Sequence, residues 1–146
     1  MILILLMTLL NPLFISNNIV IYSSLLSIVF IYNKNQYHLI CLIIGIIFDA
    51  ICNTYILNGL IYFFLSFIIN YCFKVRKYNL KNVIVISMFI IFIYNTIYYL
   101  IFNLFINTFS YVSFITNLIF IYFINILYIS LVFIFINKLK KHNIYW

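Results

Sequence analysis

The sequence predicts an all-α integral membrane protein, folded as a single bundle of six transmembrane helices. Hydrophobic residues make up 68% of the 146 residues and charged residues only 6%, whereas a soluble domain is about half apolar and about a quarter charged. Runs such as ISMFIIFIYNTIYYLIF, residues 86–102, are apolar on all sides and lack the alternation of a membrane β-barrel. Because the backbone must satisfy its hydrogen bonds internally in lipid, we expect these runs to be helices.

Breaks in apolarity divide the chain into six predicted spans, which together form one domain. Their approximate ranges are 1–16, 19–33, 38–54, 56–73, 83–106 and 114–137. The first is short for a span of about 20 residues, and Pro12 near its end would bend or stop a helix. The N-terminus has neither a basic region nor a small-residue cleavage site, so we do not expect a cleaved signal peptide.

The basic residues predict the orientation of the bundle, because every one of them follows an even-numbered span. They are Lys34 after the second span, then Lys74, Arg76, Lys77 and Lys81 after the fourth, and Lys138, Lys140 and Lys141 after the sixth. The positive-inside rule therefore places both termini in the cytoplasm of a multi-pass protein of the cell membrane. Cations at these positions meet anionic lipid head groups, and they do not form the basic face of a nucleic-acid-binding protein.

The composition argues against most kinds of catalytic site. Asp49 is the only acidic residue, and His38 and His142 lie at segment edges. The sequence therefore offers neither a metal-ligand cluster nor an acid–base pair. The three cysteines contain no CxxC pair and are typical of small packing residues. With only two glycines, a phosphate-binding loop is absent as well. We predict no enzymatic activity and no cofactor.

Asp49 lies in the third predicted span, on a helix face of small residues. Gly45 precedes it by four residues and Cys41 by eight, so the three share one face. The fourth span carries a polar stripe at intervals of four residues, namely Asn58, Tyr62, Ser66 and Asn70. Because the connecting turn is short, we predict a hairpin with close helix contact at Gly45. In it, Asn58 or Tyr62 should donate a hydrogen bond to Asp49.

An ionisable residue inside a membrane has two interpretations on physical grounds. It can be a functional group, such as a proton relay or a cation site, which would make the chain a transporter subunit. Alternatively, it is a hydrogen-bonded packing element, and a path for ions normally carries several such polar groups. Asn125, the polar residue deepest in the sixth span, is expected to face the bundle. The residues alone leave both interpretations of Asp49 open.

The stretch GIIFDAICNTYILNGLIYFF, from Gly45 to Phe64, resembles the signature of the MreD family, the rod-shape-determining membrane proteins of bacteria. That family typically shows Gly-x-x-x-Asp in its third span, then a short polar turn and a small or Asn/Gly position opening the next helix. Gly45, Asp49 and residues 57–59 match this pattern. The form Asp-x-x-x-x-Thr-x-x-Leu-Asn resembles members from low-GC Gram-positive bacteria. In the last span, Asn125-x-x-Tyr128 resembles a further family feature.

The resemblance implies a noncatalytic scaffold of the cell-wall elongation machinery that regulates cell shape. Such a scaffold would bind an MreC-like protein and, through it, a class B penicillin-binding protein, a RodA-type glycosyltransferase and MreB filaments. The structural or partner-contact residues would be Gly45, Asp49, Asn58, Tyr62 and Asn125.

The fold of that family is similar to the S-component fold of energy-coupling-factor (ECF) transporters. A substrate-binding S-component, or another small-solute transporter subunit, is therefore the alternative function. A scaffold predicts a filled bundle with a surface for a partner helix. An S-component predicts a cavity open to the outside, beneath the loops that follow the first, third and fifth spans.

Overall fold

The computed structural model describes residues 22–32, 34–52, 55–106 and 111–141. Within these ranges the chain forms five α-helices and no strand, which confirms the all-α prediction for this part of the molecule. The helices are α1 (Ser23–Phe30), α2 (Tyr37–Cys52), α3 (Leu57–Val75), α4 (Leu80–Ile106) and α5 (Tyr111–Lys141). The predicted first span, residues 1–16, lies outside the described residues.

The five helices fall on predicted spans two to six, but their ends differ from the predicted ones. α1 has only eight residues, fewer than the predicted range 19–33. α5 is longer than predicted, since it begins at Tyr111 rather than 114 and ends at Lys141 rather than 137. The prediction used breaks in apolarity as helix ends. Lysine, however, is a good helix former, so a helix continues past the point where its sequence becomes polar.

Three stretches in the described part are long and apolar enough to cross a membrane: Leu57–Val75, Leu80–Tyr98 and Ile121–Lys138. At 1.5 Å per residue, a helix the length of α3 is roughly 28 Å long, close to the ~30 Å of a bilayer's hydrocarbon core. α2 is apolar as well but shorter, with 16 residues. These helices have the character expected of a membrane protein.

α1 lies at the centre of the described bundle. Every residue from Ser23 to Val29 is buried, and α1 contacts α2, α3 and α4. Its sequence, SSLLSIVF, presents small or apolar side chains in all directions, which is typical of a helix buried on all sides. Leu25, Leu26, Ile28 and Val29 of α1 belong to the buried core, and the core residues of the other helices include Leu65, Ile69, Val83, Ile90, Ile91 and Ile129.

α5 packs mainly on α4 and is mostly exposed. Among its described side chains, Asn125 and Ile129 are buried, and the four-residue interval puts them on one face. Its exposed apolar side chains include Ile119, Phe123, Leu127, Leu131, Ile134 and Phe135. Extended apolar surfaces of this kind mark contact with lipid or with another protein.

An aromatic cluster joins three parts of the chain at one end of the bundle. The ring of Tyr32 lies 4.5 Å from that of Phe73 and 6.0 Å from that of Tyr78, and Tyr78 lies 5.9 Å from Phe133, measured between centroids. Burial raises the pKa of Tyr78 to about 12. We call this the basic end, because every Lys or Arg whose side chain is described lies within five residues of one of these rings along the chain: Lys34, Lys74, Arg76, Lys77, Lys81 and Lys138.

The side chains of Lys140 and Lys141 lie outside the described part of the chain, although the backbone of α5 continues to Lys141.

Candidate functional site

α2 and α3 pack against each other as the predicted hairpin, and at Gly45 the backbone of α3 leaves no room for a side chain. A Cβ atom added to Gly45 would lie 2.6 Å from the carbonyl oxygen of Asn58 and 2.6 Å from Cα of Gly59. Such distances fall below the 3.0 Å that real Cβ atoms keep from other heavy atoms. At Gly59, an added Cβ would instead meet a side-chain atom, Cγ1 of Ile46, at 2.9 Å. The contact between the two helices therefore tolerates a side chain less well at position 45 than at position 59.

Asp49 is only 2% exposed, and its carboxylate binds the first turn of α3. Oδ1 accepts hydrogen bonds from the backbone N–H of Asn58 at 3.0 Å and from the Asn58 side-chain amide at 2.8 Å. Oδ2 accepts a bond from the backbone N–H of Gly59 at 2.8 Å. The sequence predicts a hydrogen bond to Asp49 from Asn58 or Tyr62, and the structure contains the bond from Asn58.

The carboxylate takes the place of a capping side chain. The first N–H groups of a helix have no partner within it, and Ile56 at the N-cap position of α3 supplies no side-chain hydrogen bond. Asp49 reaches across from α2 and accepts bonds from these N–H groups. A negative charge at this position is also stabilised by the positive end of the helix dipole. The lone acid thus completes α3 and fixes it to α2.

Asn58 connects this contact to α4. Its Oδ1 accepts a hydrogen bond from the Tyr94 hydroxyl at 2.7 Å, and its Nδ2 donates to the Tyr98 hydroxyl at 3.4 Å. Asn58 is fully buried and Tyr94 is 6% exposed. Since hydrogen bonds are electrostatically stronger in a low-dielectric interior, this buried network holds α2, α3 and α4 in one arrangement.

Tyr62, the other predicted partner of Asp49, bonds elsewhere. Its hydroxyl lies 2.8 Å from Oγ of Ser24 in α1. Its ring centroid lies 6.2 Å from that of Phe48 and 6.0 Å from that of Tyr94. Tyr62 is one helical turn beyond Asn58, so its side chain reaches the central helix. The ring of Tyr62 still packs beside the site, against Phe48 and Tyr94, and its hydroxyl fixes α1 against α3.

Asn125 is buried and faces the bundle, as the sequence predicts. Its Oδ1 accepts a hydrogen bond from the backbone N–H of Tyr22 at 3.1 Å, at the start of α1. The Tyr22 hydroxyl in turn donates to Oδ1 of Asn95 in α4 at 2.6 Å, and its ring lies 5.5 Å from that of Tyr94. Tyr22 therefore connects α4 and α5 with the tyrosine rings, Tyr94 and Tyr62, that pack beside Asp49.

Four residues of this network, Tyr22, Ser24, Tyr94 and Tyr98, are not among the residues that the sequence analysis predicts. The chain contains 14 tyrosines, so a single one does not stand out. One signal was present: Tyr94 and Tyr98 are four residues apart and share a helix face, and Asn95 lies directly beside Tyr94. Together they form a polar group inside an otherwise apolar run.

The geometry of the site is that of a structural clamp. Both oxygens of Asp49 accept hydrogen bonds that fix the start of α3. Within the described residues, no three His, Cys, Asp or Glu side chains come together in a group that could hold a metal ion. His38 lies eleven residues before Asp49, roughly 16 Å along the helix, where its Nδ1 is 2.6 Å from Oγ of Ser66.

A comparison of the chain with protein-family models, curated proteins and solved structures gives no match.

Proposed function

We propose that this chain is a noncatalytic membrane scaffold of the MreD type, which acts in cell-wall elongation and regulates cell shape. The observation that carries the proposal is the structural use of the lone carboxylate, whose two oxygens bind the start of α3. Gly45, Asp49 and Asn58, which build this contact, also carry the resemblance to the MreD family. A hairpin fixed in this way gives a partner helix a surface of constant shape.

The interior beside Asp49 favours the scaffold over an S-component. The ring of Tyr94 packs against those of Tyr22 and Tyr62, at centroid distances of 5.5 and 6.0 Å. Tyr62 is 1% exposed, and its hydroxyl is engaged with Ser24. An S-component needs space for its solute near this end of the bundle, and aromatic rings packed beside Asp49 support the scaffold instead.

For the membrane arrangement we propose six spans, with both termini in the cytoplasm of a cell-membrane protein. The arrangement is supported by the gathering of the described basic residues at one end, next to the Tyr32–Tyr78 cluster. By the positive-inside rule this end faces the cytoplasm. The end that carries Asp49 then faces the outside.

The proposed direct partner is an MreC-like protein, and through it a class B penicillin-binding protein, a RodA-type glycosyltransferase and MreB. The outer face of the α2–α3 hairpin offers a partner helix an apolar surface. Ile43 and Ile46 of α2 are 44% and 42% exposed, and Leu60 and Phe64 of α3 are 61% and 65% exposed. Because Gly45 and Asp49 hold the two helices together, these side chains keep a fixed spacing.

The test uses cells that naturally make the chain. We expect that its depletion converts rods into rounded cells, and that a tagged copy recovers an MreC-like protein from the solubilised membrane. An Asp49→Leu copy should fail in both assays, because the hairpin loses its clamp. A copy with Ser87→Ala, a substitution outside the clamp, should succeed in both. Unchanged cell shape after depletion, or recovery of a transport ATPase pair instead of the MreC-like protein, would contradict the proposal.

A further inference from the structure

A groove lies between α3 and α4 at the basic end, far from Asp49. Its volume is about 380 Å³, within the roughly 300 to 1,000 Å³ that small-molecule sites occupy. Ile86, which is 3% exposed, is its most deeply buried lining residue, whereas Val75 and Phe89 are 70% and 50% exposed. The groove is therefore open towards the side of the bundle, from which a ligand in the membrane could enter.

The lining of the groove combines apolar side chains with one basic residue. Val75, Val85, Ile86 and Phe89 form an apolar surface suited to a hydrocarbon chain. Arg76, which follows the last residue of α3, is exposed and lines the same groove, and its side chain ends in a guanidinium group. A guanidinium forms paired hydrogen bonds with phosphate oxygens, which makes it the preferred side chain for phosphate recognition.

The positive charge at this end has no acidic side chain to balance it within the chain. Asp49 is the only Asp or Glu among the 146 residues, and it binds the opposite end of α3. The 18 residues from Asn58 to Arg76 correspond to roughly 27 Å of helix. No other acidic side chain in the sequence is available to pair with Arg76, so an anion from outside the chain can bind there. At a membrane surface the abundant anions are phospholipid head groups, which basic residues between helices are known to bind.

We propose that this groove binds one anionic phospholipid from the leaflet at the basic end. One acyl chain lies along Val75, Val85 and Phe89, and the phosphate pairs with Arg76. Lys77 follows Arg76 directly in the connection between α3 and α4, where it adds to the positive field around the head group. The bound lipid fills the space between the two helices. This site is independent of the proposed scaffold function.

The test measures lipid retention by the full-length protein in a neutral detergent, with native mass spectrometry as the readout. Short-chain phosphatidylglycerol should remain bound as one molecule per chain, and short-chain phosphatidylcholine should not. Arg76→Gln should weaken phosphatidylglycerol binding about fivefold, the factor expected for one basic residue at a lipid surface. Val85→Trp should weaken it as well, by filling the groove. Lys138→Gln removes one charge at the same end outside the groove, so retention should be unchanged.

Four results would overturn the proposal. Equal retention of phosphatidylcholine would show that the charge is not recognised. An equal loss in Lys138→Gln would show that only the overall charge of this end matters. Displacement of the lipid by glycerol phosphate as readily as by phosphatidylglycerol would show an anion site without an acyl-chain groove. Loss of a dimer in Val85→Trp, with no lipid retained by the unmodified chain, would assign the groove to a contact between two copies.

Discussion

A buried carboxylate is tolerated in an apolar bundle only when its oxygens are hydrogen-bonded. Asp49 meets this condition with N–H groups that themselves need acceptors, since they begin α3. One contact thus removes two costs: the desolvation of the acid and the unpaired start of a buried helix. This explains why the single acidic residue of the chain is found beside a helix N-terminus.

Replacing Asp49 with leucine should lower the free energy of unfolding by about 2 to 4 kcal/mol, because three N–H donors lose their acceptor. Asp49→Asn keeps one acceptor oxygen and should cost less. The measurement is the unfolding equilibrium in mixed detergent micelles. A leucine variant as stable as the unmodified chain would show that the clamp does not stabilise the fold.

Ser87 is the opposite case, because no hydrogen bond within the described residues compensates for the burial of its hydroxyl. Its Oγ has no hydrogen-bond partner among the described residues. Ser87→Ala should therefore leave stability unchanged or raise it by up to about 1 kcal/mol. The matched variant is Ser66→Ala, which loses the bond that Oγ donates to the carbonyl oxygen of Phe63 and the hydrogen bond between Oγ and Nδ1 of His38, and should be destabilised in the same assay. Equal losses in both variants would contradict this assignment.

Gln36 adopts a left-handed backbone conformation directly before α2, with φ of 57°. This conformation costs a residue with a side chain about 1 to 2 kcal/mol, whereas glycine adopts it freely. Gln36→Gly should therefore raise the unfolding free energy, by up to about 1 kcal/mol after the added flexibility of the unfolded chain is subtracted. Thermal unfolding in detergent measures the effect, and a lower midpoint than that of the unmodified chain would refute it.

At the scale of helices, the α2–α3 hairpin could be predicted because its contacts are local in sequence. Asp49 and Asn58 are nine residues apart, and the short turn between them leaves few arrangements. The contact of Asn58 with Tyr94 spans 36 residues. It depends on how α4 is rotated, and in a helix that is apolar on nearly all sides the interval between Tyr94 and Tyr98 is too weak a signal to fix that rotation. The clamp was therefore accessible to sequence reasoning, whereas its extension into α4 was not.

Gly45→Ala should separate α2 from α3, because the added methyl group meets backbone atoms of Asn58 and Gly59 that cannot rotate away. We expect a loss of about 2 to 3 kcal/mol, typical of overpacking at a tight contact. Gly59→Ala is the comparison variant, since its methyl group meets a side-chain atom, Cγ1 of Ile46, rather than backbone, and a smaller loss is expected. The order of the two unfolding free energies tests this. A Gly59 variant less stable than the Gly45 variant would argue against the contact described.

At the scale of the whole molecule, the two ends of the described bundle differ in chemistry. One end holds the carboxylate and amide network of Asp49, Asn58 and Tyr94. The basic end holds Arg76, Lys77 and the aromatic cluster around Tyr78. α3 runs from one end to the other, so its two flanking connections lie on opposite sides of any membrane that it crosses. This difference provides a direct test of the proposed orientation.

Single cysteines at positions 55 and 77, in a background without the three native cysteines, should react with a membrane-impermeant maleimide from opposite sides. Tyr55 is 94% exposed before α3, and Lys77 is exposed after it. With the basic end in the cytoplasm, Tyr55→Cys should be labelled in intact cells and Lys77→Cys only after permeabilisation. The reverse pattern would place the basic end outside. Labelling of both positions in intact cells would mean that α3 does not cross the membrane.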